Sequence, residues 1–257
     1  MFIDAHAHLT DEKFSGEVKE IIERARVAGV ERIVSTGSDM ESSIQSVALA
    51  EQFQEVFAVI GIHPEVEKEY SVSAEETLRR LAQNKKVIAI GEIGLDYHYE
   101  GYNKERQKEV FIKQLELAHS LNLPVVIHSR DATGDMLEIL KANKNLLSSG
   151  GIMHCFSGSV ETLMEIIKLG LGISLGGVIT FKNARNASEI IKAVPKNKFV
   201  LETDCPYLCP EPHRGERNEP KNVIYVANKI AEILNLNVEE IEKISTENAK
   251  NIFKKLK

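Results

Sequence analysis

Cysteine is scarce in this 257-residue chain, with three, at positions 155, 205 and 209. So small and odd a number excludes a disulfide framework and makes a reducing cytoplasm the expected setting. Long apolar runs are missing too. The longest are strand-sized, well short of the roughly 20 residues that a membrane-spanning helix needs. The amino end shows no basic segment followed by a long apolar one, so no secretory signal is expected. Positive charge is not in excess: 32 Lys and Arg against 38 Asp and Glu leave a formal net charge of −6. Coating long stretches of nucleic acid needs broad basic surface, so that class is excluded. A local basic patch, or a metal centre that handles phosphate, is not. No linker, low-complexity stretch or repeat breaks the chain, and residues 1–257 are read as one domain.

Against these absences stands a 43% hydrophobic composition, enough for a sizeable core and too much for disorder. Eight apolar, strand-like runs alternate with amphipathic stretches. The runs are 1–8, 32–36, 56–62, 86–93, 124–128, 151–155, 171–175 and 199–204. A proline-rich loop over 206–220 follows, then helices expected over 223–234, 238–244 and 248–256. Continuous apolar strands separated by helices imply a parallel sheet covered on its faces. Eight such units in this length predict an α/β fold, a (β/α)8 TIM barrel with extra C-terminal helices.

In such a barrel the C-terminal ends of all strands share one face, where active sites are built. The polar residues fall at those ends: His6 and His8 on the first run, His63 after the third and Glu92 on the fourth. His128 ends the fifth, His154 lies near the end of the sixth, and Glu202 and Asp204 close the eighth. On a strand, i and i+2 share a face, so His6 and His8 would present two imidazoles side by side with Asp4 behind them. Imidazole and carboxylate donors suit Zn, Mn or Fe, and carboxylates with water also allow Mg. Four histidines with Glu92 and Asp204 exceed the needs of one ion. A two-metal centre follows, with a carboxylate as the natural bridge. Asp204 could bind an ion and also take a proton from a nucleophilic water.

These residues lie in stretches that resemble the TatD family of metal-dependent deoxyribonucleases, in the amidohydrolase-like barrel superfamily. The matching stretches include DAHAHL (4–9), GIHP (61–64), GEIGLD (91–96), PVVIHSRDA (124–132), HCFSG (154–158), ETDCPYL (202–208) and TENAKNIF (246–253). A helix of pattern RQ…F…QL…A (106–118), SLGG (174–177) and RGERNEP (214–220) belong to the same resemblance, which runs through nearly the whole chain. It implies that His6, His8 and Asp204 hold one divalent ion and His128 and His154 the other. Glu92 would bridge them, and His63 would sit beside the centre on a substrate phosphate or leaving group. It implies two divalent ions (Mg, Mn or Zn) and hydrolysis of DNA phosphodiesters, by exonuclease action on single-stranded ends in some members.

DNA is thus the expected partner. No groove-reading motif appears, so recognition without sequence specificity is expected, and no membrane or protein partner is indicated. Arg130, two residues after His128, and Arg214, in the long loop after the eighth run, are candidate substrate-phosphate contacts. RGERNEP, with Arg217, can equally anchor that loop. Glu216 stands where the family usually shows lysine, which removes a basic side chain and argues against tight DNA affinity. Cys155 and Cys205 read as packing or loop residues. Asp4 and Glu202 read as capping carboxylates or as partners that orient an imidazole. The acidic balance leaves a second class open on the same centre: an amidohydrolase, a lactonase or a small-molecule phosphodiesterase.

Overall fold

The apolar run at the amino end pairs as β1, Phe2–Ala7, buried along its whole length. Seven strands follow: β2 Val30–Thr36, β3 Val56–Ile60, β4 Val87–Asp96, β5 Val125–Arg130, β6 Gly151–Met153, β7 Gly172–Leu175 and β8 Phe199–Leu201. They form one sheet in the order β1 to β8, with every neighbouring pair parallel. The computed structural model describes residues 1–256 of the chain.

Seven helices alternate with the strands: α1 Val18–Val27, α2 Met40–Gln52, α3 Val72–Leu81, α4 Lys104–Ser120, α5 Thr133–Ala142, α6 Val160–Lys168 and α7 Ala187–Ala193. The expected (β/α)8 barrel is the architecture observed. Its seam lies between β1 and β8, past the regular ladder. Ala7 bridges Cys205, the His8 amide donates to the Cys205 carbonyl at 2.8 Å, and the Asp204 amide donates to the His6 carbonyl at 3.0 Å. The chain segments that carry His6, His8 and Asp204 therefore close the ring themselves.

Two apolar layers hold the barrel. One lies between sheet and helices. The other joins Ile3, Val34, Val59, Ile88, Val126 and Val200, one from each of six strands that follow one another around the ring, so it fills the barrel interior. Phe253 and Leu256 join this interior cluster and close it from the C-terminal end of the chain. After β8 come α8, Val223–Leu234, and α9, Val238–Ile252.

The sequence pattern predicts two helices over 238–256, and the structure has one, followed by a 3-10 turn at Lys254–Leu256. The polar residues that suggest a break serve docking instead. The Asn248 amide donates to the carbonyls of Lys196 and Phe199, tying α9 to the start of β8. The eighth strand also stops sooner than expected. Its ladder ends at Leu201, and Asp204 turns out of it with φ +56°.

Helix α4 fixes the strand ends in a way its apolar face does not announce. Buried Gln107 accepts from the Asp96 amide and donates to the Asp96 carbonyl, both at 2.9 Å. About two turns further along the same face, Gln114 does the same for Ile62, at 2.8 and 2.9 Å. Each amide replaces a ladder partner for backbone groups that would otherwise be buried unpaired. Between β4 and β5 the approach is close enough to require glycine. Gly94 has φ +148°, and a Cβ there would lie 2.0 Å from the His128 carbonyl oxygen.

Candidate metal centre

Four donor atoms from three strand ends meet at one point. His6 Nε2 lies 3.2 Å from His8 Nε2, 3.4 Å from Glu92 Oε2 and 3.6 Å from Asp204 Oδ1. His8 Nε2 is 3.7 Å from Glu92 Oε2 and 3.3 Å from Asp204 Oδ1. Two ligands held about 2.0–2.2 Å from one ion, at ordinary coordination angles, stand about 3.0–3.5 Å apart. The spacing thus fits a shared cation, and two imidazole nitrogens facing each other at 3.2 Å ask for one.

The other carboxylate oxygen of Glu92 faces a second donor set. Oε1 is 2.8 Å from His128 Nδ1, 3.0 Å from His154 Nε2 and 3.7 Å from His63 Nε2. Glu92 therefore stands between two groups of donors, one oxygen toward each. The triads His6–His8–Glu92 and His63–Glu92–His128 each bring ligand atoms within 4.8 Å of one another.

The outward nitrogens of the rings fix their orientation. His8 Nδ1 donates to the Thr36 carbonyl at 3.1 Å, which leaves its Nε2 lone pair for the cluster. His128 uses Nε2 on Asp96 Oδ2 at 2.9 Å, which leaves Nδ1 facing inward. His63 Nδ1 accepts the Glu65 amide at 3.2 Å, so its proton sits on Nε2, aimed at the cavity. His154 Nδ1 is 3.4 Å from Glu202 Oε1, and Glu202 is itself held by Ser174 Oγ and the Cys155 amide.

Without a cation the cluster is electrostatically loaded. Burial would raise the Glu92 carboxyl, but His154 beside it and hydrogen bonds from His128 hold it well below the usual carboxylate range. Burial would lower His154, yet Glu92 and Glu202 hold it well above the ordinary imidazole value. His8 is raised the same way, against burial, by Asp204. His6, wholly buried and beside His154, is lowered, and burial takes His63 down to about 3. Ionised carboxylates here hold protons on imidazoles, the positions a divalent cation would take.

The residues expected at the strand ends thus converge: His6, His8, His63, Glu92, His128, His154 and Asp204 all stand in or against one cluster. Asp4 does not join them. Between Asp4 and Ala7 on β1 and Ile33 and Ser35 on β2 the register shifts, so three steps match two. This irregularity breaks the alternation that would put Asp4 with His6 and His8. Its carboxylate instead accepts from the Thr203 amide at 2.9 Å and from the Thr203 hydroxyl. It holds the turn that carries Asp204.

A cavity of about 760 Å³ opens over the cluster. Arg130 lines it, with its guanidinium 5.2 Å from the Tyr99 ring centre and Nη1 3.4 Å from the Tyr99 hydroxyl. Tyr99, 56% exposed, and Tyr207 stand at its rim. Cys155 also reaches the wall, while Cys205 is buried packing. Arg214 is not brought here. It lies over the Phe181 ring at 4.2 Å, and it does not line the cavity. Arg217 pairs with Glu17 at 2.8 Å and anchors its loop, and Glu216 is an exposed partner of His213.

Asp96, Gln107 and Gln114 matter to the site and go unnoticed in a reading of strand ends alone. Asp96 shares strand parity with Glu92, four residues on, and that alternation is the signal for it. For the glutamines, the signal is a polar residue repeated seven apart on the buried face of a helix.

Comparison with known proteins converges on one group. The family model described as "TatD related DNase" matches residues 3–254. The uncharacterized metal-dependent hydrolase YabD of Bacillus subtilis is 44% identical over 254 residues, 99% of each chain. The 3'-5' ssDNA/RNA exonuclease TatD of Pantoea ananatis is 34% identical, covering 97% of this chain and 98% of that one. The crystal structure of YjjV, a TatD homologue from Escherichia coli, superposes with a TM-score of 0.93 at 32% identity, covering 98% of both chains.

Proposed function

From its membership of the TatD-related DNase family of metal-dependent hydrolases, to which this chain belongs, we propose that the protein hydrolyses DNA phosphodiesters with two divalent ions and trims single-stranded ends. The observation that carries the reading is the position of Glu92, whose Oε2 faces His6 and His8 and whose Oε1 faces His128 and His154. The name of the Pantoea relative supports a nucleic-acid substrate and an end-directed action.

In this reading His6, His8 and Asp204 would hold one ion, His128 and His154 would hold the other, and Glu92 would serve both. When bound, the ions supply Lewis acidity that neutralises charge on a phosphoryl oxygen and makes water a better nucleophile. Asp204 reaches the cavity wall beside His8 and takes the proton of the attacking water. His63 is a neutral donor, since the Glu65 amide occupies its Nδ1. Its Nε2–H is available to a non-bridging phosphate oxygen or to the leaving oxygen. Arg130 contacts Tyr99 and pairs with no carboxylate among the described residues, so its guanidinium is available to the phosphate. Mg, Mn and Zn all suit this donor set. Recognition is of backbone and ends rather than of sequence. The chain acts as one catalytic domain, and the three free cysteines support a reducing cytoplasm.

The test is a metal-by-substrate screen on protein stripped with chelator. End-labelled single-stranded DNA should shorten stepwise from one end only when a divalent ion is restored. Glu92→Gln and Asp204→Asn should each abolish this. Unchanged cleavage in either variant overturns the mechanism, and faster turnover of an amide or lactone than of DNA overturns the substrate class.

A further inference from the structure

A second pocket, of about 250 Å³, opens beside the metal cavity, between the ends of β5 and β6 and the first turns of α5 and α6. The two spaces share Ser129, Arg130, His154, Cys155 and Ser157 in their walls. The two spaces therefore abut along this wall, and a molecule at the donor cluster lies next to the pocket. The deeper wall is apolar and buried, made by Met136, Met153, Phe156 and Ile166. Thr133 and Thr162, on the opening turns of the two helices, add hydroxyls at its sides.

This lining has a definite chemical preference. A bare phosphate or sugar would gain nothing from two thioethers, a phenyl ring and an isoleucine. A flat heteroaromatic ring would, because its faces are apolar and its edge carries donors and acceptors that hydroxyls can meet. Arg130 stands in the wall common to both spaces, so one guanidinium can contact a phosphate on the metal side while a ring attached to it enters the pocket. We infer that this pocket is a subsite for the terminal nucleobase of the strand, next to the phosphodiester at the metal centre. The inference rests on the phosphodiesterase reading above. It adds that reading's missing element, a group that recognises an end. A chain end places one base beside the last phosphodiester, and a pocket of about 250 Å³ beside the metal cavity is of a size to take one base.

Binding and turnover test it separately. On the metal-loaded protein, calorimetry compares dAMP with 2-deoxyribose 5-phosphate, which lacks only the base. From the usual strength of base stacking, dAMP should bind about tenfold tighter or more. Thr162→Phe fills the pocket from α6, where the Thr162 hydroxyl meets only Ser159 among the described residues, and it leaves the donor cluster untouched. In that variant the two ligands should bind alike. Its kcat/KM should fall about tenfold on an oligonucleotide that ends in a base and stay level on one that ends in an abasic sugar. Equal binding of the two ligands by the wild type overturns the subsite, and this needs no variant at all. So does a base preference that survives in a folded Thr162→Phe protein. DNA turnover without base preference removes the subsite and leaves the phosphodiesterase reading. A base preference in binding without turnover of any DNA removes that reading and leaves the subsite.

Discussion

The Nε2 atom of His128 lies 2.9 Å from Oδ2 of Asp96, on the opposite side of the ring from the 2.8 Å contact between Nδ1 and Glu92. Asp96 is buried and ionised, its carboxyl held below the usual value by His128 against the effect of burial. It can only accept, so the His128 proton stays on Nε2 and the Nδ1 lone pair is aimed at the ion site. Asp96→Asn keeps the shape but lets the amide present a donor, which can reverse the tautomer. Partners of this kind are worth about 10–100-fold in metal affinity. Isothermal titration with Mn should show that loss, with the thermal midpoint of the ion-free protein nearly unchanged. Wild-type affinity in the variant would mean that packing alone orients His128.

Ion uptake should release protons. Against burial, His8 is raised by Asp204, His128 by Asp96 and Glu92, and His154 by Glu92 and Glu202. Groups raised above the ordinary imidazole value still carry protons near neutral pH, and a cation must displace them. The sign follows: apparent affinity rises with pH through the imidazole range and falls on acidification. Calorimetric binding enthalpies should therefore differ between buffers of different ionisation heat. Ion at about 100 times its dissociation constant should stabilise the fold by about 2.7 kcal/mol. Identical enthalpies in phosphate-free buffers of low and high ionisation heat would contradict the loaded state of the cluster.

Among the described residues, Gln107 is the sole side-chain partner of both backbone groups of Asp96, and it is 1% exposed. Gln107→Leu preserves bulk and leaves a buried N–H and a buried C=O unpaired, at a cost of about 2–4 kcal/mol together. Urea unfolding should show that loss, and metal affinity should fall with it, because Asp96 orients His128. Gln114→Leu should destabilise by a similar amount through Ile62, with a smaller effect on affinity. Two variants of equal stability and unequal ion binding would separate the positioning of Asp96 from the general rigidity of α4.

Much of this was legible in the sequence because barrel geometry turns strand order into spatial order. His6, His63, Glu92, His128 and His154 are far apart in the chain, yet each follows an apolar run, and a parallel barrel brings such ends together. What escaped was whatever depends on departures from regular strands. Strand alternation puts Asp4 beside His6, and the register shift on β1 sends it to Thr203. The apolar run over 199–204 puts Asp204 in a strand, and it stands in a left-handed turn at φ +56°. Such turns are set by tertiary contacts, here Asp4 to Thr203 and the seam between His6 and Asp204, which no local pattern encodes. The 238–256 segment shows the same limit. Its polar middle resembles a break only until Asn248 is seen docked on Phe199.

Glu219 ties the long loop after β8 to the first helix, and its contribution should depend on pH. Its carboxylate accepts from Arg24 Nε and Nη2 at 2.8 and 2.9 Å, with Lys221 at 3.3 Å and Arg217 at 3.4 Å. Burial would raise the carboxyl, but Arg24 and Lys221 hold it below its usual value. A folded-state value below the unfolded one means stability that is fully present above the unfolded pKa, about 4.3 for glutamate. That stability fades as pH falls from there through the folded value. Arg24 is 38% exposed, so solvent screens part of the pair. Glu219→Gln should therefore cost about 1–2 kcal/mol at pH 7. The gap between variant and wild type should be the same at pH 6 and should narrow in the acid range, as the wild-type carboxyl takes up the proton that the amide mimics. Urea midpoints at pH 7, 6 and 3.5 measure it. A gap that stays constant down to pH 3.5 would assign the anchoring of this loop to shape and neutral hydrogen bonding rather than to the charge of Glu219.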